Sequence, residues 1–147
     1  MNRLLIIAFV AVSMFSPRLA RCEMMTAVCE EPKGYTVVFK DNRFDSSPDR
    51  IEGATLSYSW DTDSRKATII TQHSRLAGGA PISYPAQVIP VSKGHISFLV
   101  VFDKGIELHS LFLDQKTIYF SSQKDLSDTI SSGKIFAAKC KMGLSQN

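Results

Sequence analysis

Residues 97–113 read SFLVVFDKGIELHSLFL, and this stretch decides the fold class. Two apolar, β-prone runs flank Asp103-Lys104-Gly105, which reads as a β-hairpin. A three-residue loop with Gly105 in the left-handed conformation sets Phe102 opposite Ile106. That register gives one face to Ile96, Phe98, Val100 and Phe102 together with Ile106, Leu108, Ser110 and Phe112, the expected core face. The other face then collects Leu99, Val101, Leu111 and Leu113 beside His95, Ser97, Glu107 and His109. A face that is half apolar needs a cover or a partner. The loop at 73–85 and the segment at 124–133 are the expected covers within the chain.

The runs on either side extend the pattern. YTVVFK (35–40), ATLSYSW (54–60), KATIITQ (66–72), AQVIPV (86–91), HISFLVVF (95–102), IELHSLFL (106–113), TIYFSSQ (117–123) and KIFAAKCK (134–141) are short and turn-bounded, with no period of 3.6. In ATLSYSW, the residues Ala54, Leu56, Tyr58 and Trp60 share one face and Thr55, Ser57 and Ser59 the other, as in a strand half in a core. Eight such runs with local links predict an all-β domain, an antiparallel meander closing into a barrel or sandwich. Three connections break the rhythm: a polar loop at 41–53, the Gly- and Pro-containing loop at 73–85, and 124–133, where one helical turn is expected.

The N-terminus has a different character. Arg3 precedes an apolar run from Leu4 to Phe15, long enough for a secretory signal and short for a membrane span. Residues 1–20 therefore read as a signal peptide, with Ala20 or Ala27 before the cut. A short tail at 21–28, a β domain at 29–141 and a C-terminal tail at 142–147 follow. Removing 1–20 takes away Arg3, Arg18 and no acid, so the formal charge falls from +3 to +1. A chain so near neutrality has no footprint for nucleic acid, and no stable membrane insertion of the mature chain is expected.

The chain has three cysteines, Cys22, Cys29 and Cys140. An exported chain pairs what it can, so a Cys29–Cys140 bridge tying the two ends of the domain is expected, with Cys22 left over. Metal and cofactor sites are not expected. His95 and His109 share a face in the register above but stand roughly 13 Å apart along the strands, and the DTDS at 61–64 has Arg65 where a calcium loop needs an oxygen ligand. Asp41, Asp45, Asp49 and Glu52 read as a solvated loop. No G-x-S-x-G elbow or activated cysteine is present, so no catalytic residue is assigned.

Binding is the remaining class. Arg75 and Tyr84 in the long loop, and Leu99, Leu111 and Leu113 on the mixed face, are the candidate contacts. The segment SRLAGGAPISYP resembles the loop of periplasmic inhibitors of C-type lysozyme, small secreted β-barrels whose loop has Ser-Gly-small-x-Tyr character. Here Pro81, Ile82 and Ser83 lengthen the spacing before Tyr84, and the likeness spans about a tenth of the chain. Such a resemblance implies a protein-binding, inhibitor-like module of the bacterial periplasm. The alternatives are a barrel holding a small apolar ligand in the lipocalin manner, and an enzyme whose site is assembled only by folding.

Overall fold

The computed structural model describes residues 24–72, 80–127 and 129–145. Among the described residues nine strands lie in the order β2-β1-β3-β4-β5-β6-β7-β8-β9, with β9 also pairing β1. They are β1 (Met24–Lys40), β2 (Arg43–Arg50), β3 (Thr55–Asp61), β4 (Lys66–Gln72), β5 (Ile82–Ser92), β6 (His95–Phe102), β7 (Gly105–Phe112), β8 (Thr117–Ser127) and β9 (Ile130–Ser145). All pairings are antiparallel. Strand β1 and strands β3 to β9 close an eight-stranded barrel, and β2 is an additional strand outside the closure. The expected all-β meander is therefore the architecture, with one strand more than the eight runs.

The extra strand comes from the length of β1. Its first half, Met25–Glu30, pairs β3, and its second half, Lys33–Lys40, pairs β2. The change of partner falls at a bulge between Glu30 and Lys33. Glu31 takes φ 50° there and donates its N–H to the Ala54 carbonyl at 3.0 Å, while Ile51 donates to Pro32 at 3.0 Å. Pro32, which has no N–H to place in a ladder, is buried at this point. Gly53, at φ 63°, lets the chain turn between β2 and β3.

Several expectations are corrected. The 41–53 stretch is not a loop, because Arg43–Arg50 form β2 on the edge of β1. A ladder is made by backbone groups, so its polar side chains do not prevent pairing. Among its described residues the 124–133 stretch holds no helical turn. It is the far end of β8 and β9, which pair as far as Ser127↔Ile130. The hairpin register is also one residue away from the expected one: Phe102 pairs Gly105 and Val101 pairs Ile106. Gly105 is not in the left-handed region, which among the described glycines is occupied by Gly53. Its lack of a side chain serves a close approach instead, since a Cβ there would collide with the Gln123 carbonyl oxygen of β8.

The slip reverses β7. Glu107, His109 and Leu111 face the barrel interior, opposite Val100, Phe98 and Ile96, while Ile106, Leu108 and Ser110 face out. Leu111 pairs Ile118, which places Ile118 and Phe120 inside as well. The interior is filled by large side chains. Trp60 and Tyr58 pack on Phe98 at ring distances of 5.4 and 5.3 Å, and Phe120 stacks on Phe136 at 5.0 Å. Leu56, Tyr58 and Trp60 are buried as their alternation with Ser and Thr requires. The Cys29–Cys140 disulfide is present, linking directly paired residues of β1 and β9 where the barrel closes.

Candidate functional site

The expected contact residues do not form one surface. Arg75, with His73, lies outside the described residues. Tyr84 is half-buried on β5 and sets its ring edge-on to Phe102 at 5.3 Å, against the core. Leu111 is 0 % exposed and belongs to the core, which is the direct result of the register slip. Leu113 is half-buried beside the core and donates its N–H to the Gly94 carbonyl at 2.9 Å. Leu99 alone keeps its expected place, half-buried on the outer face of β6.

Folding assembles two features that the residues did not announce. The first is a polar chain inside the barrel. The Tyr58 hydroxyl of β3 stands 2.9 Å from His109 Nδ1 of β7, and His109 Nε2 stands 3.4 Å from Glu107 Oε2. The other Glu107 oxygen accepts from the Ser122 hydroxyl at 3.0 Å and from Lys124 Nζ at 2.8 Å, both on β8. The imidazole is stacked on Phe120 at 4.9 Å, and the Lys124 ammonium lies 4.7 Å over the Phe102 ring.

Burial works to raise the Glu107 carboxyl, but hydrogen bonds from His109 and Lys124, with their charges, outweigh it and hold the group at about 2. Burial also pushes the Tyr58 phenol well above its usual value, and the Glu107 charge adds to this. A neutral phenol and an ionised carboxylate thus flank one imidazole. Tyr58 and His109 are both 1 % exposed, so neither meets a solute in this conformation. The chain ties β3, β7 and β8 together, each polar group answered by another. His95 is on the outer face, opposite in parity to His109, so the two do not share a face as expected. Among the described residues no three His, Cys, Asp or Glu side chains converge.

The second feature is the outer wall of β6, β7, β8, β9 and β1. One row across it reads Leu99, Leu108, Ser121, Ile135 and Tyr35, each paired to the next. The row above reads Val101, Ile106, Gln123, Gly133 and Val37. Neither row contains a charge. Val101 is 69 % exposed, Tyr35 59 %, Ile135 57 % and Ile106 43 %. The segment at 124–133 does not cover this wall, because it extends the sheet. The described part of the long loop, from Ile82 on, pairs β4.

At the upper end of the wall a groove of about 610 Å³ opens between the tips of the β6–β7 and β8–β9 hairpins, where Asp103, Lys104, Lys124 and Asp125 line it beside Ile106 and Gln123. Just below the first row, Tyr119 of β8 projects outward, 45 % exposed. The signal for the wall was in the sequence: Tyr35 and Val37 alternate with Thr36 and Val38, apolar residues at both parities of one strand, and Ile135 repeats this on β9. No protein-family model matches the chain, and no curated protein matches it either.

Proposed function

We propose that the protein is an exported, non-catalytic β-barrel module of the bacterial cell envelope that docks a protein on its outer wall. The observation that carries this reading is the pair of charge-free, partly apolar rows across five strands. Exposed apolar side chains gathered on either side of Ser121 and Gln123 are the mark of an interaction surface. The disulfide belongs with an oxidising compartment, in keeping with the signal-like run at Leu4–Phe15. No helix among the described residues is long and apolar enough to cross a membrane. Cleavage after Ala20 keeps β1 whole, whereas cleavage after Ala27 would delete residues paired with Tyr58, Ser59 and Trp60.

A small apolar ligand in the barrel has less support, because aromatic side chains already fill the interior. The lysozyme-inhibitor likeness moves the partner no closer to Tyr84, whose ring is turned toward Phe102. Photo-cross-linkers placed at Leu108 and at Ile135, in the exporting cell, test the wall. Protein adducts at both positions and none at Ser57 on β3 are expected. Adducts no more frequent at the wall than at Ser57 would sink the docking reading.

A further inference from the structure

We infer that a cleft on the outer face of β9, between Tyr119 of β8 and the β1 bulge at Glu30 and Lys33, binds a neutral saccharide. The cleft holds about 480 Å³, within the ~300–1,000 Å³ of ordinary small-molecule sites. Its floor is Ala137, whose ladder partners are Tyr119 on one side and Lys33 on the other. Neighbouring strands lie about 4.8 Å apart, so these two side chains leave the backbone roughly 10 Å from each other, over a residue that ends at Cβ. That spacing lets a six-membered ring lie against the sheet.

The walls are braced from behind. Tyr119 is 45 % exposed, and its ring meets Phe112 of β7 at 5.7 Å, nearly perpendicular, on the side of β8 away from the cleft. Phe112 in turn stacks on His95 at 4.3 Å. At one end of the cleft Lys139 donates to the Thr117 hydroxyl at 2.9 Å and to the Gln115 carbonyl at 3.4 Å. An ammonium has three donors, so one N–H of Lys139 remains for a ligand. Among the described residues the Glu31 carboxylate, the Lys33 ammonium and the Tyr119 hydroxyl have no partner.

The backbone supplies an independent observation. Glu31 sits at φ 50°, in the left-handed region that suits glycine and strains a glutamate. The bulge uses only the Glu31 N–H, which bonds to the Ala54 carbonyl, and a glycine would offer the same group. A side chain kept there, beside a cleft, is the pattern of a binding group, and re-aiming such a group is a common use of a bulge.

The chemistry of the rim selects the ligand. Glu30 and Glu31 repel an anion, and Lys33 and Lys139 repel a cation. A zwitterion meets both signs, but charge pairs open to water are screened, and it leaves the tyrosine unused. A neutral sugar uses every part. Its C–H face lies on the negative face of the Tyr119 ring, while its hydroxyls donate to Glu31 and accept from Lys33 and Lys139.

The test follows the amide NMR shifts of the folded exported chain during separate titrations with cellobiose, maltose, lactose and chitobiose. Each is taken to about 20 mM, which fills most of a site of millimolar Kd. Glycine and inorganic phosphate at the same concentration probe the zwitterion and the anion. At least one disaccharide should move the amides of Glu31, Lys33, Tyr119 and Ala137 saturably, and neither glycine nor phosphate should. Glu31→Gly should weaken that sugar by about tenfold, the loss of one charge-assisted hydrogen bond, while melting no lower than wild type. Tyr119→Ala should weaken it with an unchanged β circular-dichroism spectrum. Still amides with all of these sugars, saturation by glycine or phosphate, or a Glu31→Gly variant that binds as wild type or melts below it overturns the saccharide site.

Discussion

Glu107 shows how a side chain that the hydropathy pattern would place in water comes to lie inside. Its carboxylate is 14 % exposed and contacts Lys124, Ser122 and His109. With a folded value of about 2 against an ordinary 4.5, the ionised form is bound more tightly in the native state. Its stabilisation is complete above about pH 4.5 and drains away as pH falls toward 2. Its size is on the order of 3 kcal/mol. Urea midpoints at pH 6, 4 and 2.5 should therefore converge for wild type and Glu107→Gln as the acid is reached. A gap between the two that is constant with pH would refute the assignment. Burial of Glu107 and His109 was not legible in residues 97–113, because what makes it tolerable lies on β3 and β8, 51 residues from His109 in the case of Tyr58.

Among the elements, the β6–β7 hairpin is where the sequence reading and the fold part company. A glycine after Asp-Lys is a natural left-handed residue of a longer loop, and that choice inverts every side chain of β7. The fold uses Gly105 inside the ladder, under the Gln123 carbonyl. Gly105→Ala should destabilise the protein by about 1–3 kcal/mol, as overpacking does, with faster amide exchange at Gln123 and Lys124. A change under about 0.5 kcal/mol, the level of an indifferent surface position, would show that β8 yields at no cost. Where a strand has one wet face the reading succeeds: Leu56, Tyr58 and Trp60 alternate with Ser and Thr, and their burial follows. It fails for β2, whose residues signal nothing apolar beyond Phe44. That strand is held by its backbone ladder and by Asp49, which accepts from the Thr36 hydroxyl at 2.6 Å and from Lys134 at 3.1 Å.

For the molecule as a whole, the decisive pairing is β1 with β9. It joins the first and last described strands, runs from Met24↔Ser145 to Phe39↔Ser131, and turns a twisted open sheet into a barrel with no edge along that seam. The disulfide sits in its middle, between residues 111 apart in sequence. In the chain-entropy picture a loop of this length contributes about 4–5 kcal/mol. For a domain of this size that corresponds to roughly 15 °C in melting temperature. Cys29→Ser, or wild type under strong reductant, should melt lower by about that amount, though the ladder still pairs the strands. The same seam carries Tyr35 and Ile135, so loosening it also frays one side of the outer wall. Equal melting temperatures with and without reductant would mean that the hydrogen-bonded ladder alone closes the barrel.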